Sequence, residues 1–206
     1  MNLTLNKIRE HRPCQKKWEK LLRSKGKTKA DDEEFSILDV LESNGFEGAL
    51  WCLRCITGYD REIRLFAVWC AQQVEHLNPD PRVKKCNDVA EQFANGLATK
   101  EQLADARANA ANAATYAWDY FNYVACSAAM AAAWTAKPDC HHAPTVSVWA
   151  AAAARDSRAA DKKSFDVWNA ARAAQKQKFF EMVKETENEQ NNEQSIQSHL
   201  RQTDDY

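Results

Sequence analysis

Cys52 and Cys55 stand three residues apart, and Cys140-His141-His142 follows much further along the chain. Thiolates and imidazoles in such a set are donors that zinc accepts. Structural zinc sites hold a Cys-x-x-Cys in a tight turn where both sulfurs converge, whereas this pair is flanked by Trp51, Leu53 and Ile56 in a helical pattern. Core thiols beside a solvent-exposed histidine loop are therefore the preferred reading. A metal held by Cys52, Cys55, Cys140 and His141 is the alternative. A Cys–His nucleophile pair among the seven cysteines and five histidines (His11, His76, His141, His142, His199) needs a thiol beside a base, and nothing in the sequence marks one. Gly26, Gly45, Gly48, Gly58 and Gly96 are scattered at turns and build no phosphate loop. Asp60, Asp80 and Asp119 are accounted for by helix capping or exposure. The expectation is a protein that is not an enzyme and carries no cofactor.

Two other groups suit recognition. Tyr116, Trp118, Tyr120, Phe121 and Tyr123 are too closely spaced to share one face of a helix, so some cover the body and others reach solvent or a partner. Exposed Tyr and Trp are typical interface anchors. The competing reading is that these rings fill the volume that neighbouring alanines leave empty. Residues 1–30 hold Lys7, Arg9, Arg12, Lys16, Lys17, Lys20, Arg23, Lys25, Lys27 and Lys29 against only Glu10 and Glu19. Within that head, Lys16, Lys17, Lys20, Arg23, Lys25 and Lys27 are the candidates for touching nucleic-acid phosphates. Against this, the rest of the chain is acidic in balance and no helix shows the pattern of a known nucleic-acid reader. The other end is acidic, with Glu181, Glu185, Glu187, Glu189, Glu193, Asp204 and Asp205 against Lys184 and Arg201.

The elements that position these groups are helices. In 206 residues with 45% hydrophobic and 28% charged side chains, five Gly, five Pro and few β-branched runs argue against sheet. No uninterrupted apolar run approaches the roughly 18 residues of a membrane span, and MNLTLNKIREHRP lacks an apolar signal core. A cytoplasmic protein without membrane contact is expected, its odd number of cysteines reduced. Phe46, Ala49, Leu50, Leu53 and Ile56 make one helical stripe; Ile63, Phe66, Ala67, Cys70, Val74 and Leu77 make another. Between them Gly58 suits a left-handed C-cap and Asp60 an N-cap, which predicts an αα-hairpin. Asp31-Asp32-Glu33-Glu34 opens an earlier helix, carried on by Phe35, Leu38 and Leu41 and stopped at Asn44-Gly45. Asp80-Pro81 opens a helix that Gly96 ends, and Thr99-Lys100-Glu101-Gln102 is a capping box. From Leu103 to Ala136, and again from Val146 to Glu185, the chain is alanine-rich, predicting two long antiparallel helices. Beyond Glu185 its composition predicts a frayed tail.

The fold class expected is thus all-α: an N-terminal helical array packed with a long alanine-rich antiparallel hairpin. The segments are a basic head (1–30), the array (31–98), the hairpin (99–187) and a polar acidic tail (188–206). Together ALWCLRC, YDREIRLFAVWCAQQVEHL, PDPR, DVAEQFANG and ATKEQLADARANAA resemble a family of immunity proteins, alanine-rich helical proteins of phages and bacteria. The similarity covers about Leu41–Ala114, with a looser match through Ala174. It implies a protein that binds and neutralises a protein effector, or blocks a host defence component when carried by a phage, and it supplies no catalytic residue. Trp51, Arg54, Asp60, Arg61, Arg64, Trp69 and Asp80 match its recurring positions, and Arg61 and Arg64 join Tyr116, Trp118, Tyr120 and Tyr123 as candidate partner contacts. Self-association as a homodimer through the alanine-rich helices is also open. The alternative is a nucleic-acid-associated phage accessory protein using the basic head.

Overall fold

The computed structural model describes residues 1–120, 122–139, 141–157 and 164–203. Among these the protein is all-α, with one two-stranded ladder of two residues per strand. The chain divides into two compact units, Met1–Ile56 with Gln177–Tyr206, and Thr57–Lys176. These units cut across the segments that composition suggests, because the C-terminal helix packs with the N-terminal residues.

In the first unit, β1 (Asn2–Leu3) pairs antiparallel with β2 (Phe35–Ser36). Between them lie α1 (Leu5–Glu10), capped by the Thr4 side chain, and α2 (Gln15–Ser24). Helix α3 (Ile37–Cys52) starts where the Ser36 hydroxyl accepts from the Leu38 amide at 3.2 Å. The acids at 31–34 therefore precede a strand and do not open the helix, as their sequence predicted. Ladder pairing with Asn2 and Leu3 takes up the backbone of Phe35 and Ser36. Gly45, at φ 76° and ψ −179°, kinks α3 where a stop was expected; that region of backbone space is essentially restricted to glycine. Helix α9 (Ser164–Thr203) supplies Phe179, whose ring meets Phe46 edge-on at 5.8 Å, and Glu187, which accepts from the Ser36 hydroxyl. The expected frayed tail is helix as far as Thr203: its Glu, Gln and Arg residues favour helix. Pairs such as Gln177–Glu181 and Lys184–Glu187 support the last turns before it. Asp204 and Asp205 lie outside the described residues.

Near the start of the second unit, Gly58 (φ 85°) is followed by α4 (Asp60–Gln72). Tyr59 takes the N-cap expected of Asp60, which instead sits with Glu62 in the first turn facing the helix dipole. Helix α5 (Pro81–Ala94) is capped by Asp80, which accepts from the Arg82 amide at 2.9 Å, and ends at Gly96 (φ 73°). The Thr99–Gln102 capping box opens α6 (Lys100–Asp119). Where one long helix was predicted from Leu103 to Ala136, there are two, α6 and α7 (Tyr123–Thr135), which pack on each other. Asn122 makes the break, its side chain accepting from the Ala125 amide at 3.0 Å. The described residues of the second alanine-rich stretch lie in α8 (Ala143–Asp156) and α9. Helix α7 is the middle of the unit, in contact with α4, α5, α6 and α8. Ala125, Ala128, Ala129, Ala131, Ala132 and Ala133 are buried on it, and only small side chains let that many helices approach one axis.

Candidate functional site: an aromatic turn between α6 and α7

Helix α6 buries Leu103, Ala106, Ala110, Ala113, Ala114 and Ala117, one stripe at helical spacing. Bulky residues off that stripe must point away from the core. Tyr116 and Trp118 do so in the last turn of α6, Tyr120 at its C-cap and Tyr123 as the first residue of α7. Their exposures are 59, 58, 68 and 49%, so they are surface groups and not fillers of space beside alanine. The rings order one another. Tyr116 and Tyr120, four residues apart, lie 4.6 Å between centroids, and Trp118 meets Tyr123 edge-on at 5.1 Å and 79°. A side-chain hydrogen bond with Tyr120 holds the Tyr116 phenol above its ordinary pKa. Ring pairs of this kind are worth about 0.5–1.5 kcal/mol beyond their burial, so the cluster is pre-organised. Such a surface offers flat apolar faces and phenol and indole donors. Phe121, named with these residues on sequence, lies outside the described residues.

Arg61 and Arg64 are elsewhere. Arg64 is 4% exposed and donates to the carbonyls of Thr135 (2.6 Å), Lys137 (2.8 Å) and Pro138 (3.0 Å), with its guanidinium 5.0 Å over the Phe93 ring. It caps the C-terminal end of α7 and is not a surface contact, which corrects its place among the candidate partner residues. Arg61 is exposed and tied to Asn95 Oδ1 and Glu62.

Several groups of the basic head are already engaged. Lys25 pairs with Asp39 at 2.6 Å, Lys27 with Asp31 and Glu33, and Lys17 donates to the Asn44 carbonyl at 3.2 Å. The Asp31 bond holds the Lys27 ammonium above its ordinary pKa. Arg23 donates to the Glu19 carbonyl, while Lys16 and Lys20 are exposed.

Of the metal alternative, Cys52 and Cys55 belong to the first unit and His141 to the second, and Cys140 lies outside the described residues. Among the described residues no group of three or more His, Cys, Asp or Glu is placed to hold a metal ion. Hydrogen bonding with Cys55, together with burial, pushes the Cys52 thiol up, and the same bond pushes Cys55 down. Burial raises Cys70 and takes Cys86 to about 12, where its thiol donates to the Ala132 carbonyl. Cys52, Cys70 and Cys86, whose thiols are raised, stay protonated at neutral pH.

Two residues escaped sequence reasoning. Arg64 reads as a solvent-facing cation unless the carbonyls of a distant helix end are known to meet it. Asn44, read only as a helix stop, is 8% exposed and holds α2 against α3 by donating to the Lys17 carbonyl at 3.0 Å. No described helix is long and apolar enough to cross a membrane. No family model, curated protein or solved structure matches the chain.

Proposed function

We propose that the chain works by stoichiometric binding to a protein effector, in the manner of an immunity protein or a phage inhibitor of host defence, with Tyr116, Trp118, Tyr120 and Tyr123 as the contact. One observation carries the reading: four large aromatic side chains, ordered in two ring pairs, stand exposed at one turn of a unit whose buried helices are lined with alanine. Resemblance over Leu41–Ala114 supports the binding role, and the engagement of Lys17, Lys25 and Lys27 with Asn44, Asp39 and Asp31 weighs against the nucleic-acid alternative. The test is capture from a nuclease-treated host lysate by the tagged protein, compared with Trp118→Ala/Tyr120→Ala. One anchor of this type contributes about 2 kcal/mol and neighbouring anchors need not add, so the double variant is expected to bind its partner at least about 30-fold more weakly. Retention of the same partner by the double variant refutes the aromatic contact. A complex that dissolves on nuclease treatment and on Lys16→Glu/Lys20→Glu refutes the protein-effector reading.

A further inference from the structure

Elsewhere in the chain, aromatic rings carry cations that the chain itself supplies. Arg54 lies over Trp51 at 4.8 Å, Lys137 over Trp134 at 4.6 Å, Arg155 over Trp168 at 5.6 Å and Lys184 over Phe180 at 6.0 Å. The turn between α6 and α7 differs. Among the described residues, Tyr116, Trp118, Tyr120 and Tyr123 are, with the lone ring of Phe165, the exposed rings left without a Lys or Arg over them. The gap is written into the sequence: from Ala108 to Ala136 there is no Lys or Arg, and Asp119 is the one charged residue. Asp119 is exposed and stands three residues after Tyr116, a spacing that puts it beside the Tyr116–Tyr120 pair on the helix surface. Among the described residues its carboxylate has no ion-pair or hydrogen-bond partner. Ring faces are the negative part of the aromatic quadrupole, and the carboxylate adds a full negative charge beside them. The whole turn therefore presents one sign of potential.

We propose that the aromatic turn recognises an arginine-bearing segment of its protein partner, with a guanidinium stacked on the exposed rings and donating to the Asp119 carboxylate. This rests on the turn being the effector contact, and it specifies what the effector must bring there. Arginine fits better than lysine, because its planar fork can lie on a ring while its N–H groups reach a carboxylate at the ring's edge. An acidic segment or a phosphate backbone would meet potential of its own sign, so the same surface selects against both.

The probes are the peptide acetyl-Gly-Arg-Gly-Arg-Gly-amide and its citrulline counterpart, in which an uncharged urea of the same shape replaces each guanidinium. Titration of the full-length protein is followed at the Trp118 indole N–H resonance. The arginine peptide is expected to give a saturable shift there. The citrulline peptide is expected to bind at least about tenfold more weakly, the combined worth of one exposed cation–π contact and one surface ion pair. Asp119→Asn should weaken the arginine peptide about threefold and leave the citrulline peptide unchanged. Tyr116→Leu/Tyr120→Leu keeps apolar surface and removes two π faces, and should weaken the arginine peptide about tenfold. These positions are exposed, so melting temperatures should stay at the wild-type value. In capture from the host lysate, Asp119→Arg is expected to lose the same partner that Trp118→Ala/Tyr120→Ala loses. The inference is overturned if the arginine peptide gives no saturable shift at Trp118, or if the citrulline peptide binds as well. Retention of the partner by Asp119→Arg but not by Trp118→Ala/Tyr120→Ala overturns the arginine contact and leaves the aromatic contact standing. Retention by both variants overturns the two together.

Discussion

Replacing Arg64 with methionine keeps the length and apolar stem of the side chain and removes its guanidinium. The carbonyls of Thr135, Lys137 and Pro138, now 2.6, 2.8 and 3.0 Å from donors, would lose them. Each charge-assisted bond is worth roughly 1.5–3 kcal/mol net, and the guanidinium over Phe93 adds about 1 kcal/mol. Opposing this is the cost of holding a cation at 4% exposure, several kcal/mol, which methionine no longer bears. The difference leaves Arg64→Met about 3 kcal/mol less stable. For a chain of this size that lowers the melting temperature by about 6–12 °C. Arg64→Lys keeps the charge, but one ammonium on a flexible stem cannot span three carbonyls, so it should lose about half as much. Urea unfolding followed by far-ultraviolet circular dichroism, with thermal melts alongside, measures both variants. Arg64→Met within about 0.5 kcal/mol of wild type, or Arg64→Lys less stable than Arg64→Met, would refute the capping argument.

Gly45→Ala meets no atom within 4 Å, so its cost of about 1–3 kcal/mol comes from backbone conformation alone and should appear in urea unfolding with an unchanged slope. Burial, with the ring 4.8 Å from Trp134, holds His142 below its ordinary 6.5, Asp139 working the other way. A base with a lowered folded pKa binds fewer protons folded than unfolded. Its contribution is therefore complete above pH 6.5 and is lost as the pH falls through the folded value. Unfolding midpoints should decline below about pH 6.5 in wild type and less steeply in His142→Gln; parallel curves would count against this. Peptide mapping after brief alkylation of the native protein should find Cys14 modified and Cys70 and Cys86 untouched, while labelling of Cys86 as fast as Cys14 would contradict its burial.

Where a helix begins or ends by a local contact, the sequence carries the signal in full. Asp80 with Pro81, the Thr99–Gln102 box and the left-handed Gly96 all sit where local chemistry places them, whereas Gly58, expected as a C-cap, lies beyond a 3-10 turn capped by Ile56. The reading fails where partners are remote in the chain. Phe35 and Ser36 become a strand because Asn2 and Leu3 pair with them, and Arg64 is buried because the end of α7 brings carbonyls to it. The break at Asn122 is an intermediate case. Asn122 is a proper capping residue, but it stands in a run where alanine propensity predicts helix on both sides, and packing of α6 on α7 decides the matter. Crowding of the aromatic rings did show on sequence that some must face outward; that all four described rings do so follows from the alanine stripe opposite them.

The alanines of α7 also bear on how the chain can change over generations. A single base change in an alanine codon yields serine, threonine, proline, valine, glycine, aspartate or glutamate. At Ala128, Ala129, Ala131 or Ala132, each with no exposed surface, each of these adds bulk, brings a polar group that needs a partner, or weakens the helix. The monotony of this stretch is therefore a record of confined space, and its neighbours in sequence space are nearly all destabilised. Tyr116, Trp118 and Tyr120 lie on open surface under no such constraint, so lineages are expected to diverge at the turn while the helix beneath it stays alanine.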